Sequence, residues 1–567
     1  MTLERAPAEP TDRDVDAPGE EPVPYLLRQG RLKYFAEVTM RRNTSCSLFL
    51  ALSIFVIGLS SLYSQDDYDK WKKGESDKYQ QWKDARDKEF TEFLKTEWKA
   101  FQAFKEQKLF DIPKPKTMPL APPKRATKPD LKQKPQPEQK TETKPDAKVE
   151  KTPEQRITPK SEPTPEVKIA PKPEAKPEEK PVVKAESVQP SNTVVDPATN
   201  AANISLDFYE ASVPVVYDNA LKAHLEGAPS GKSISAFWEA MSKSNYEDFL
   251  KQTLTQRDRM KLNDWGYCEF LNKTAERLYP GSRNESNLFD WFMLTKSGYQ
   301  AKVGYSGDNT YLLLPTSGVL YGVDYYMFGN NPMKFYNVMF DRYERPQISK
   351  LYSYDKDYPD ATKLTGYQIT VAPNIQNDIQ KKTLKFTHNG SEYTINVEYD
   401  KSAVKFFEYY PQTNLEVYFN AVPSTDARSS LLEALKPLVK DRSETEAVDL
   451  LLHFVQTAFK YETDDDQFGR EKPFFPEETL YYPGSDCEDR AVLFSFLVRN
   501  LLGLEVVGLD YPNHVATAVR FKTEVNGDQV VYGNKKYIIC DPTYINADYG
   551  MCMPQFKSIK PAIIALK

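Results

Sequence analysis

Three residues near the C-terminus carry the chemistry that this sequence can do. Cys487 stands in PGSDCEDRAVLFSFLVRNLLGL (483–504), His514 opens HVATAV, and Asp541 follows KYIIC, with 27 residues from each to the next. A thiolate can attack a carbonyl carbon, an imidazole can take and return the proton, and a carboxylate can fix the imidazole tautomer. The apolar periodicity of 483–504 predicts a helix, and Ser485 with Glu488 three residues on reads as a capping box. With Ser485 as N-cap, Cys487 takes the second helical position. There, free N–H groups and the positive helix end favour a thiolate and can hold the oxyanion formed on attack. Taken alone, a cysteine is more often a buried, inert thiol; the histidine and the Asp-Pro-Thr downstream set this one apart.

The other candidates read as structural. Cys540 is a core thiol and Cys552 a loop thiol, while His224, His388 and His453 have no nucleophile near them in sequence. Asp464, Asp465 and Asp466 have the spacing of hard-cation ligands, but no Gly-and-Glu framework follows, so a solvated acidic loop is expected. Gln456, on the preceding helix, reads either as an oxyanion donor or as a surface residue. No metal and no cofactor is required. Five cysteines without a CxxC pair and four histidines fit neither a zinc ribbon nor a disulfide scaffold. A net charge of -6 from 75 basic and 81 acidic residues excludes a general polyanion binder, so nucleic acid is not an expected partner.

These segments resemble the transglutaminase-like superfamily, which includes bacterial transglutaminase-like cysteine peptidases of papain-like fold. SDCEDRA around Cys487 is similar to the family's Gly-x-Cys-x-Asp signature, and LLGL (501–504) to its helix exit. His514 is similar to its strand histidine, and CDPTY (540–544) to its Asp-Pro-Thr motif. The resemblance covers about 430–555 and implies Cys487, His514 and Asp541 as the catalytic triad. Ser485-Asp486 stands where Gly-Asp is more usual, and Ala516 where many relatives carry an aromatic; both departures bear on substrate fit.

Upstream, the composition changes sharply. Residues 1–39 carry 5 Lys/Arg against 8 Asp/Glu and read as disordered or not translated, with Met40 as an alternative start. Met40-Arg41-Arg42 followed by the apolar run 48–62 makes 40–64 a signal peptide or an anchor (45–63). Export to the periplasm or cell envelope follows. Residues 65–111 repeat aromatic pairs every eleven residues: Tyr68/Trp71, Tyr79/Trp82, Phe90/Phe93 and Phe101/Phe104. That period predicts one helix with an aromatic stripe, suited to coiled-coil self-association or to lying on a membrane surface. Residues 112–202 are rich in Pro, Lys and Glu, with 18 prolines and no aromatic between 111 and 190, and read as a disordered linker.

The globular part is expected as an α+β chain of three domains: helical and mixed (203–344), small antiparallel β (345–424) and transglutaminase-like (425–567). YQITVAP, KTLKFTHNGSEYTINVEY and NLEVYFNAV read as strands around an Asn389-Gly390 turn. A weak internal echo links 288–305 with 493–509. Shifting by 205 residues places Ser282, Asn309 and Tyr336 opposite the triad, which reads as a degenerate copy or as chance. The expected function is thiol-dependent acyl transfer on a carboxamide of a protein or peptide, as peptidase or transglutaminase. The alternative is an inactive envelope scaffold that uses such modules for binding.

Overall fold

A computed structural model describes residues 65–106, 108–110, 113–122, 201–329, 332–340 and 348–566. The apolar run 48–62 and most of the expected linker lie outside them. Among the described residues no helix is long and apolar enough to cross a membrane. The chain divides into two compact units, 1–85 and 86–567. Of the first, residues 65–85 are described: they are helical, and Tyr68/Trp71 and Tyr79/Trp82 pair ring on ring at exposed positions.

The second unit mixes helices with antiparallel sheets. Its first segment corrects the expectation of a single helix over 65–111. The helix Gln65–Thr96 ends there, and Lys99–Gln102 and Phe104–Lys105 are strands. Phe90 and Leu94 are buried, and Phe90 meets Trp238, Tyr354 and Tyr358 edge-on at 4.9–5.8 Å. After Thr96 a period-2 pattern takes over: Phe101 packs inward on Phe328 while Phe104 stays exposed beside Tyr325. Strands Lys99–Gln102 and Phe104–Lys105 pair with Lys350–Ser353 and Asp324–Tyr326, so consecutive stretches of one segment form the two end strands of one sheet.

That sheet and the C-terminal one share an architecture. The N-terminal order is Asp324–Tyr326, Phe335–Asn337, Asn309–Pro315, Lys302–Ser306, Lys350–Ser353. The C-terminal order is Gln529–Tyr532, Lys535–Cys540, His514–Arg520, Glu505–Tyr511, Ala562–Ala565. All neighbouring pairs are antiparallel. Each central hairpin follows a buried helix, Arg283–Lys296 or Cys487–Leu497, and turns in the same register, Ser306 facing Asn309 and Tyr511 facing His514. The weak sequence echo therefore marks a repeated helix-and-sheet plan.

The strands expected at 367–373 and 414–422 do not form. Leu415–Phe419 is a short helix, with Leu415, Val417, Tyr418 and Phe419 all buried, and short apolar runs buried on both faces carry no decisive period. Ile379–His388 and Ser391–Asp400 form the expected hairpin, with Asn389 at φ 50 and Gly390 at φ 77 as its two-residue turn needs. It has no core of its own. Leu384, Phe386, Ile395 and Val397 pack with Leu431, Leu435 and Phe454 of the helices Thr425–Val439 and Glu444–Ala458, and with Leu493 and Phe494 of the Cys487 helix. These helices wedge the Cys487 helix against the His514 strand.

Candidate functional site

Cys487 is the first residue of the helix Cys487–Leu497, and the N-cap is Asp486 rather than Ser485. Asp489, not Glu488, accepts from the N-cap backbone N–H, at 3.0 Å. Ser485 instead pairs with Tyr461 in a short parallel bridge and accepts from Arg490 Nε. This bridge fixes how the chain enters the helix. A Cβ at Gly484 would lie 2.6 Å from the Glu462 Cβ, so glycine alone fits. Gly503, at φ 62, ends the helix in the left-handed conformation.

The thiol is fully buried and donates to Glu488 Oε2 at 3.2 Å. Burial pushes its pKa well up and the Glu488 and Asp486 carboxylates add to this, against the Lys114 ammonium and the Val515 backbone N–H. The helix end alone therefore does not make a thiolate, because two carboxylates crowd the same turn.

His514 and Asp541 are brought together as expected. His514 opens its strand beside the turn residue Asn513 (φ 57), and Asp541 directly follows the neighbouring strand Lys535–Cys540. His514 Nε2 donates to Asp541 Oδ2 at 2.9 Å, while Asp541 Oδ1 accepts from the N–H groups of Thr543 and Tyr544. Phe556 stacks on the imidazole at 5.0 Å. With the proton on Nε2, Nδ1 keeps its lone pair; it is buried and has no hydrogen-bond partner among the described residues. Val515, the residue after His514, packs in the same buried cluster as Cys487, so thiol and base share one locus.

Next to the thiol lies a feature that composition hid. Lys114, expected in a disordered linker, is buried, and its Nζ lies 2.9 Å from Asp486 Oδ2, 2.8 Å from Glu471 Oε2 and 3.5 Å from Asp464 Oδ2, and against Glu488 Oε1. Burial works against this charge, but Asp486, Glu488 and Asp464 outweigh it and hold the pKa well above the ordinary lysine value. Asp464 is likewise buried rather than solvated, and accepts from Lys472 N; burial and Asp486 push its pKa well up. Asp466 remains at the surface with Lys116. Lysine and proline density gave no hint of this cluster, because its carboxylates come from about 350 residues further along the chain.

Two positioning residues complete the frame. Arg490 is buried and donates to Phe459 O at 2.8 Å and to Ser485 Oγ at 3.2 Å; burial lowers its pKa to about 10. Gln456 is buried too, and its Nε2 donates to Asp541 O and Ala547 O, so it holds the Asp541 loop instead of an oxyanion. Its place one helix before the motif was the only sequence signal. Cys540 is a core thiol as expected, and Cys552 is buried beside Met553. His388 pairs with Asp449 and His453 with Asp548, away from the thiol, and His224 pairs with Glu285. In the repeated plan, Ser282 caps its helix, Asn309 opens its strand and Tyr336 lies within a third strand, so no nucleophile and base meet there. No family model, curated protein or solved structure matches the chain.

Proposed function

We propose that this chain is an exported, thiol-dependent acyltransferase acting on carboxamides of proteins or peptides, with 425–567 as a transglutaminase-like module of papain-like fold. The observation that carries this reading is His514, with Nε2 held by Asp541 and Nδ1 unbonded, opening the strand whose next residue, Val515, packs in one buried cluster with Cys487. In the reaction, the Cys487 thiol passes its proton to His514 Nδ1 and the sulfur attacks the carbonyl carbon. N–H groups at the helix start hold the oxyanion. Collapse expels the amine, which takes the proton from His514, and leaves a thioester. Water or a second amine then attacks the thioester to give hydrolysis or transamidation. Asp541 keeps the imidazole oriented throughout.

A second reading, a binding scaffold without turnover, is favoured by one observation: the thiol donates to Glu488 and burial keeps it protonated. The two separate in an assay of peptide-amide cleavage and of amine incorporation into glutaminyl peptides, with Cys487→Ala as control. Activity lost in that variant supports acyl transfer. Activity absent from both chains supports the scaffold, and activity unchanged in the variant overturns Cys487 as the nucleophile. Self-association or membrane contact through 65–111 falls to the exposed half, Tyr68 to Trp82, since Phe90 is committed to the core.

A further inference from the structure

Residues 113–121 are anchored across the site at both ends of the triad. Near its start, Lys114 enters the acidic cluster flanking Cys487, and Pro115 O accepts from Tyr461 Oη at 2.8 Å. Near its end, Leu120 bridges Ile545 in parallel and Ala121 N–H donates to Ile545 O at 2.8 Å, four residues beyond Asp541. Between them, Met118 packs against the cores that hold Cys487 and Tyr511. Extended backbone pairing with one deep side-chain anchor is how a peptide ligand lies in a cleft.

The cluster has more acid than this segment satisfies. Four carboxylates, Asp464, Glu471, Asp486 and Glu488, converge on one ammonium, and Asp486 Oδ1 is buried without a hydrogen-bond partner. Convergence on a point suits the three N–H donors of an ammonium better than a planar guanidinium. An empty cluster would leave like charges buried together, so it calls for a cation from whatever peptide fills the cleft. Phe110 lies under the same ammonium, with Lys114 Nζ 4.6 Å from its ring centroid.

We propose that the Asp464, Glu471, Asp486 and Glu488 cluster is the binding site for a lysine side chain of an extended polypeptide substrate, and that residues 113–121 occupy it in cis as an internal inhibitor. The proposal rests on Cys487 as the nucleophile of the acyl transfer described above. Displacing the segment exposes the thiol and frees the lysine seat together.

The test uses the full chain and iodoacetamide at pH 7, with alkylation of Cys487 followed by peptide mass mapping. Lys114→Met removes the anchor charge, and the double variant Tyr461→Phe/Ala121→Pro removes two other anchors while keeping every cluster charge paired. Each is expected to alkylate roughly tenfold faster than the wild type or more, by raising the population of the displaced state. A synthetic peptide of residues 108–122 should restore protection of Lys114→Met, and the same peptide with norleucine in place of Lys114 should not. The double variant decides occlusion, because Lys114→Met alone disturbs a buried ion cluster. A rate within twofold of wild type in a folded double variant, or equal protection by both peptides, overturns the proposal. Fast alkylation with lysine-selective protection but no turnover of any carboxamide would sink the acyl-transfer reading and leave the lysine site standing.

Discussion

His514 Nε2 lies 2.9 Å from Asp541 Oδ2, and the second oxygen of the same carboxylate is held by two backbone N–H groups of its own turn. One carboxylate thus fixes both the loop and the imidazole tautomer. Asp541→Asn keeps an oxygen for the loop but can present an amide to Nε2, which favours the wrong tautomer. It should lower kcat by roughly 10²- to 10⁴-fold with little change in thermal midpoint. Steady-state kinetics and thermal denaturation of the same preparation check this.

Gln456 contributes without touching the thiol. Its amide holds the carbonyls of Asp541 and Ala547 from the buried face of the preceding helix. Gln456→Leu should strip the side-chain donor from Ala547 O and leave Asp541 O with the Tyr544 N–H alone, costing about 1–3 kcal/mol, and lower kcat more than it raises KM because the imidazole support loosens. Chemical denaturation and the kcat-to-KM split measure the two effects; an unchanged kcat would remove Gln456 from the positioning role.

Buried acids give the fold a pH signature. Burial raises the Glu477 pKa to about 7, although its carboxylate accepts from Asp400 N, Ser424 N and Ser424 Oγ. A folded pKa above the unfolded value means that the stabilisation is fully present below the unfolded pKa, near 4.5, and is lost as pH rises through 7. At about 1.4 kcal/mol per pKa unit, the loss is roughly 3 kcal/mol. Denaturant unfolding at pH 4.5 and 7.5 should show a steeper decline for wild type than for Glu477→Gln.

The two halves of the aromatic repeat should respond differently to truncation. Phe90, 2% exposed amid Trp238, Trp291 and Tyr358, should cost about 3–5 kcal/mol as Phe90→Ala. Tyr79→Ala, at a position 53% exposed, should stay within about 0.5 kcal/mol. Sedimentation of the full chain, with and without Tyr68→Ala and Tyr79→Ala, reports self-association through the exposed half.

Elements whose signals are local were legible in the chain. A Gly-Ser-Asp-Cys entry, an apolar helix and the Gly503 exit are written within twenty residues, and so are the strand that opens at His514 and the Asn389-Gly390 turn. The pairing of His514 with Asp541 was legible because each stands at a strand boundary, where a side chain can reach the same end of a sheet. Even the shared plan of the two sheets left a trace, in the matched spacing of 288–305 and 493–509.

Features that depend on distant partners emerged only on folding. Capping passed to Asp486 because Ser485 was taken up by Tyr461 and Arg490, and the aromatic repeat broke at Thr96 because both edges of a sheet needed a strand. The fate of Lys114 shows the reason most plainly. In composition it is one lysine among many in a proline-rich tract. In the fold, the ammonium sits where four carboxylates from 464, 471, 486 and 488 meet, an electric field that no window of neighbouring residues contains.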